Sequence, residues 1–447
     1  MDKREIVDTF LSKGILLSPE ALNEASNLSS ERLAELAEDL ERRGIDLLTI
    51  EDLEGGAEER SADLVMRSVV ASRGSDSRVD YLKHFQNRFQ RLASIVRSKR
   101  GEEEALSLLE IKNTERVPAF AVGMVASIEE DSPDERGLLL EDGTGSLEVT
   151  VTEDSAAWGP SGKLVLDEVV GIAGQYHPDR QVLSAESIEF PDIGQQERPL
   201  ADFESYAVFL SDLHYGCEDF MEDSFRNFIR WLKGEFGDPE MVRISGKIDF
   251  VIICGDLIEN GERNALELYE GLVEILSEVP ERIAVLCIPG EGDAAGVLEP
   301  QPGFIEEALG VLNRMPNFHQ GSNPCEVDLN GVPVTLYHGR SIEQWSSALG
   351  VAEPCEVMKQ MLIRRHLAPT YGTEVPVAPT RSDPFLIGDP PRILCTGHTH
   401  ISCASEYKGV LLIGSPSWRS REAKSGAGSL YLVDLSTLKS RSISFAP

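Results

Sequence analysis

A chain of 447 residues has room for two or three domains and a large core. Its 41 % apolar and 26 % charged residues argue against a disordered, collagenous or coiled-coil chain. A formal net charge of -34, from 76 acidic against 42 basic residues, disfavours free-standing binding to phosphate backbones, whose affinity rests on cations. Were DNA the substrate, a partner or a metal would have to supply the positive charge. The same balance suits a salt-rich cytosol or an acidic lineage.

The seven cysteines (217, 254, 287, 325, 355, 395 and 403) are odd in number, lie in the C-terminal half and include no CxxC pair. That usage predicts reduced thiols in a cytoplasmic protein, with neither a zinc ribbon nor a disulfide framework. The N-terminal Met1-Asp2-Lys3-Arg4-Glu5 lacks the apolar core of a signal peptide, and no run approaches a membrane span. A soluble, cytoplasmic protein without membrane contact is the expectation.

Residues 1–53 read as a small helical unit. Ser18-Pro19 opens one helix. Ser30 caps another that carries Leu33, Leu36, Ala37 and Leu40, with Arg42 and Arg43 in its last turn and Gly44 as its stop. A plain bundle and a docking module both fit. Residues 54–79 turn polar and weakly periodic, the composition of a linker. A helix is predicted within 80–114, with Phe85, Phe89, Leu92, Ile95 and Val96 on one face. Arg88, Arg91, Arg97, Lys99 and Arg100 make it the most basic stretch, either a solvated face or a nucleic-acid contact.

Over 115–200 short alternating strands separated by turns such as Asp142-Gly143-Thr144-Gly145 suggest a small barrel of the oligonucleotide-binding (OB) type. Such barrels bind single strands through aromatics and basic grooves. Here Phe120, Trp158 and Tyr176 are the available aromatics, so a structural, subunit-contacting barrel is the better reading.

From residue 201 one device repeats: an apolar strand running into a short loop rich in Asp, His and Gly. The strand 207–210 leads to Asp212-Leu213-His214, and 250–254 to Gly255-Asp256. The strand 283–288 leads to Gly290-Glu291-Gly292-Asp293, 332–337 to His338-Gly339-Arg340, and 392–395 to Gly397-His398-Thr399-His400. In D-x-H and G-H-x-H the named residues lie two apart, which on an extended segment turns both side chains to one side. Imidazole with carboxylate suits manganese, iron or zinc, and a carboxylate such as Asp256 can bridge two cations roughly 4 Å apart. Four of the eight histidines (214, 338, 398 and 400) sit in these loops. Trp418 reads as packing, and Arg340 as either a phosphate ligand or a structural ion pair.

This order of motifs resembles the calcineurin-like binuclear metallophosphoesterase superfamily. Within it, Leu210-Ser211-Asp212-Leu213-His214-Tyr215-Gly216, Phe228-Ile229-Arg230-Trp231-Leu232, Glu299-Pro300-Gln301-Pro302, Tyr337-His338-Gly339-Arg340-Ser341 and Arg364-Arg365-His366-Leu367-Ala368-Pro369 are similar to the small subunit of archaeal family-D DNA polymerase. The resemblance implies an α+β multidomain chain: a helical N-terminal unit, an OB-type barrel and, over 201–447, a two-sheet phosphoesterase sandwich flanked by helices. It implies a centre for two divalent metal ions, with manganese first and zinc or iron as alternatives. One ion would be held by Asp212, His214 and His400, the other by His338 and His398, with Asp256 bridging. It further implies 3'-5' exonuclease proofreading, with Asp256, His338 and Asp212 as the catalytic core. The implied partners are a large catalytic subunit, DNA reached mainly through that complex, and a sliding clamp.

One motif departs from the family's Gly-Asn-His-Asp. Glu291 replaces the ligating Asn, and a carboxylate ligates at least as well. Gly292 replaces a His expected to assist the leaving oxygen, and loss of such an acid typically costs about 10²- to 10⁴-fold in rate. The expectation is a metal site with weak or absent nuclease activity. An active exonuclease subunit, a weakened scaffold that docks the large subunit, and a stand-alone phosphatase are the three readings. The barrel, the helical N-terminus and the Arg364–Pro369 stretch tell against the third.

Overall fold

The computed structural model describes residues 3–26, 28, 33, 34, 36, 37, 40, 47–49, 62–69, 78–100, 106–113, 118–197, 200–259, 264–372, 375–378, 380–421 and 426–446. The expected cap Ser30, the residues Arg42, Arg43 and Gly44, and the polar run 54–60 lie outside them.

Near the N-terminus the helices Lys3–Leu11 and Pro19–Ala25 pack around Ile6, Phe10, Ala21 and Ala25. Ser18 starts the second helix as its sequence suggests: its hydroxyl accepts the Ala21 N–H at 3.1 Å. Strands Leu16–Leu17 and Leu47–Leu48 pair in parallel beside them.

Five strands close a barrel in the order Pro118–Ser132, Glu135–Asp142, Gly145–Thr152, Val182–Glu189, Val169–His177. The Asp142 carboxylate accepts the N–H groups of Thr144 and Gly145 at 2.7 and 3.0 Å, which sets the hairpin between Glu135–Asp142 and Gly145–Thr152. Phe120 and Tyr176 are buried, and the Arg136 guanidinium covers Trp158 at 3.8 Å, so these aromatics form no open stacking platform.

The C-terminal half is mixed α/β, built on two six-stranded sheets. One sheet runs Phe318–Gln320, Ala284–Ile288, Ile248–Cys254, Tyr206–Leu210, Ser429–Asp434, Ser440–Ser444. The other runs Cys403–Tyr407, Val410–Gly414, Ile393–Thr396, Val332–Tyr337, Cys325–Leu329, Leu64–Val69. Strand alternation explains the layering. Ala207 and Phe209 face the inter-sheet core with Phe250, Ile252, Leu286, Val334 and Leu336. Val208 and Leu210 face the opposite way, onto helices carrying Phe225, Phe228 and Leu272. The second sheet is covered by Trp345, Met358, Met361 and Leu362. Central strands buried on both faces read as unbroken apolar runs, as parallel strands between layers must.

Three expectations are corrected here. Residues Leu64–Val69, inside the stretch read as a linker, pair antiparallel with Cys325–Leu329 and close the sheet edge. The region read as one helix holds Arg78–Arg100 and a separate capped helix, Leu108–Lys112. The thiols are not all reduced, because Cys355 and Cys403 form a disulfide across 6.1 Å between Cα atoms; helix Pro354–Arg364 brings one against the strand that bears the other.

The basic residues of the Arg78–Arg100 helix divide: Arg91, Lys99 and Arg100 are exposed, whereas Arg88 is neither solvated nor open to a nucleic acid. Arg88 is fully buried: its Nε lies 2.7 Å from Asp383 Oδ2 and its Nη1 donates to the carbonyls of Asp167 and Pro369. His366 reaches the same Asp383 oxygen at 2.8 Å, and Arg364 pairs with Glu168 of the barrel at 2.8 Å. Arg100 pairs with Glu189, and Lys99 donates to the carbonyls of Phe190 and Asp192. The Arg364–Pro369 stretch is therefore a junction joining long helix, barrel and sheets. Among the described residues, no helix is long and apolar enough to cross a membrane.

Candidate metal centre

The predicted loops follow strands Tyr206–Leu210, Ile248–Cys254, Ala284–Ile288, Val332–Tyr337 and Ile393–Thr396, and they meet at one end of the two sheets. Their backbone does not remain extended, as the two-apart argument assumed. Asp212, His214, Asp256, His398 and His400 all take positive φ, between 47° and 65°. Each such non-glycine residue costs roughly 1 kcal/mol or more and persists only when its surroundings hold it. Left-handed backbone, rather than the pleat, turns these side chains inward.

Glycines make the convergence possible. A Cβ on Gly290 would stand 2.2 Å from Asp256 Oδ1, and one on Gly255 2.3 Å from His338 Nδ1. A Cβ on Gly397 would stand 2.7 Å from Asp212 Oδ2. Bare backbone at these points lets the loops close on each other.

The candidates gather into two clusters that share Asp212: Asp212, His214 and His400, and Asp212, Asp256 and His338. His214 Nε2 faces His400 Nε2 at 3.2 Å, with Asp212 Oδ1 3.9 Å from the first and 3.6 Å from the second. Metal–imidazole bonds of about 2.0–2.1 Å, at angles between octahedral and tetrahedral, separate neighbouring nitrogens by about 3 to 3.4 Å. The observed spacing fits. Asp256 Oδ2 of the second cluster also approaches the first, lying 3.8 Å from His214 Nε2 and 3.6 Å from His338 Nε2.

His338 is fully buried and its Nδ1 faces the Cys254 carbonyl at 2.9 Å, which assigns the proton to Nδ1. Its Nε2 is then left without a hydrogen-bond partner, aimed at two carboxylates. A buried nitrogen so placed takes a positive charge, either a proton or a metal ion. Burial works against a charged His338, yet Asp256 and Asp212 beside it push its pKa up to about 10. Burial likewise opposes the Asp256 carboxylate, but His338 and His214 hold its pKa well below the usual range. The pair is built for a positive charge at its centre.

His398 and Glu291 stand at the rim, outside both clusters. The His398 N–H donates to the Asp212 carboxylate, and its Nδ1 lies 3.8 Å from Glu291 Oε1. Arg340 is engaged, with Nε 3.2 Å from Glu291 Oε2 and Nη1 donating to the Val297 carbonyl. Asp293 orders its own loop, accepting from the N–H groups of Leu257 and Gly290 and the Tyr269 hydroxyl. Trp418 is buried packing.

A supporting network went unread in the sequence. The Asn323 side chain accepts the His338 N–H at 2.9 Å and donates to Gln301 and Glu299, while Tyr337 donates to Glu299. Glu299 and Gln301 belong to the Glu-Pro-Gln-Pro motif, whose polar residues between prolines were the available signal. Glu259, 2.9 Å from His214 Nδ1, was also missed; its position three residues after Asp256 was its only mark.

Residues 207–405 match the family model for the B subunit of DNA polymerase alpha/epsilon. A DNA polymerase II small subunit of Archaeoglobus fulgidus is 34 % identical over 361 residues, covering 76 % of this chain and 71 % of that protein. The chain belongs to the DNA polymerase II small subunit family of archaea. A second member, from Thermoplasma acidophilum, is 30 % identical and covers 94 % of this chain and 87 % of its own. Of solved structures, a novel archaeal phosphodiesterase aligns with 53 % of this chain at 13 % identity and a TM-score of 0.32. Membership in this family makes the chain a subunit of a replicative DNA polymerase, whose counterpart is a large catalytic subunit.

Proposed function

We propose that the centre takes two divalent cations, manganese before zinc or iron, and hydrolyses phosphodiesters at the 3' end of DNA on behalf of the large subunit. The observation that carries this reading is Asp256 Oδ2 standing between His214 Nε2 and His338 Nε2. Asp212, His214 and His400 would hold one cation; Asp256, His338, His398 and Glu291 the other. Such ions supply an activated nucleophile and neutralise charge developing on the phosphodiester. The chain's own groups orient: Cys254 and Asn323 fix His338, Gly292 N–H holds Asp256 Oδ1 at 2.7 Å, and Arg340 would reach a phosphate oxygen by exchanging it for Glu291.

Cleavage is slow in this reading, because Gly292 offers no side chain to protonate the leaving oxygen. With a net charge of -34, the protein meets DNA through the assembled polymerase and its sliding clamp rather than alone. The bare position 292 equally favours a second reading, a metal-stabilised scaffold that docks the large subunit without cutting. Manganese-dependent digestion of single-stranded DNA by the wild type, Asp256→Ala and Gly292→His separates the two. Slow cutting that Asp256→Ala abolishes and Gly292→His accelerates supports the nuclease. No cutting by any of the three supports the scaffold, and unimpaired wild-type cutting refutes the predicted weakness.

A further inference from the structure

We infer that Glu259 is a positioning residue for the cation pocket of His214, and that Arg419 positions Glu259 in turn. The inference rests on the two-cation reading above and names two residues which that reading does not use.

The backbone sets the geometry first. Beyond strands Tyr206–Leu210 and Ile248–Cys254 the two loops keep pairing: Asp212 N–H donates to Gly255 O, His214 N–H to Asp256 O, Tyr215 N–H to Leu257 O and Glu259 N–H to Tyr215 O, each at 3.0 Å. This ladder places Glu259 beside His214. Glu259 Oε2 then lies 2.9 Å from His214 Nδ1. His214 Nδ1 is buried and makes no hydrogen bond of ordinary geometry, so a small turn of the ring toward this carboxylate would give its proton an acceptor, leaving Nε2 to face Asp212, Asp256 and His400 as a lone pair.

Arg419 keeps Glu259 in that outer place. Its Nη1 lies 3.4 Å from Glu259 Oε2, and its Nε 3.2 Å from Asp219 Oδ1. Asp219 is itself fixed by the Arg421 N–H at 3.1 Å. The loop bearing Arg419 also seats a ligand candidate, because Trp418 N–H and the Ser417 hydroxyl donate to the Asp212 carbonyl at 3.0 and 3.3 Å. A guanidinium shared between Asp219 and Glu259 offsets the charge that would otherwise draw Glu259 inward onto the cation. The two pockets thus differ: a backbone carbonyl orients His338, and a carboxylate orients His214. The carboxylate makes its imidazole the more basic ligand.

The test uses the full chain with ¹⁵N-labelled histidine, metal-free at pH 8, where an ordinary imidazole is neutral. His214 is assigned by its loss in His214→Asn. Wild type is expected to show His214 protonated on Nδ1 alone. Glu259→Leu is expected to mix the tautomers and to weaken one of two manganese sites by about 10- to 100-fold in an electron paramagnetic resonance titration. Glu259→Gln, which keeps an acceptor oxygen, should recover most of both effects, and Arg419→Gln should fall between. If Glu259→Leu changes neither tautomer nor affinity while Asp256→Ala abolishes manganese binding, the positioning role is wrong and the two-cation reading survives. If Asp256→Ala leaves manganese binding intact, the two-cation reading itself falls.

Discussion

Arg340 Nε lies 3.2 Å from Glu291 Oε2, so the carboxylate that replaces a neutral family residue is tied to a cation of its own chain. Both side chains are partly exposed, which limits the pair to about 1 kcal/mol or less. Releasing Glu291 toward the pocket should therefore help a metal modestly. Arg340→Gln is expected to tighten manganese binding up to about fivefold and to weaken inorganic phosphate as a competitor. Paired titrations of manganese and phosphate check this. Weakening of both would mean that Arg340 merely supports the loop.

The two glycines of the altered motif should respond differently to a methyl group. At Gly290 the new Cβ would sit 2.2 Å from Asp256 Oδ1 and 2.5 Å from its N, so Asp256 must move. Gly290→Ala is expected to abolish manganese binding and to cost about 1–3 kcal/mol in urea denaturation. At Gly292 the nearest atoms are Ile258 O at 3.0 Å and Asp256 Oδ1 at 3.3 Å, which a shift of a few tenths of an ångström relieves. Gly292→Ala should bind manganese like wild type. Equal loss in both variants would show that the loop, not Asp256, is what suffers.

The strands of the two sheets could be read because each is a short apolar run ended by Gly, Asp or His, and burial on both faces leaves no polar alternation to blur them. The same runs announced which loops would meet. How they meet was not legible: the left-handed backbone at Asp212, His214 and Asp256 depends on contacts across the sheets, which no local pattern encodes. Arg88 misled for a related reason. An arginine on a basic helix looks solvated until Asp383, 295 residues away, is seen against it. Leu64–Val69 was hidden because an edge strand owes its conformation to a partner far along the chain.

That Arg88–Asp383 contact yields a stability prediction. Both side chains are buried, and removing one partner leaves a charge uncompensated. Arg88→Met is expected to cost about 3–5 kcal/mol in urea denaturation and to loosen the Arg78–Arg100 helix from the segment that bears Asp383. The double variant Arg88→Met with Asp383→Asn should recover part of that loss. No recovery would place the cost in packing of the long side chain instead.

His366, on the same carboxylate, should make the junction acid-sensitive. Burial first, and then the neighbouring Arg88, lower its pKa from 6.5 to about 4, although Asp383 pulls the other way. Between those values the unfolded chain binds the proton and the folded chain does not, so stability rises with pH across this window. The contribution is complete above about pH 6.5 and is lost as pH falls toward 4. The interval corresponds to about 3 kcal/mol. Asp383, held well below its ordinary value despite burial, by Arg88 and then His366, adds a loss of the same sign at still lower pH. Urea denaturation at pH 7, 6, 5 and 4.5 should therefore show a falling midpoint in wild type and a flatter profile in His366→Gln. An unchanged slope in His366→Gln would assign the acid sensitivity to other groups, with His84, whose pKa burial also lowers from 6.5, the first to examine.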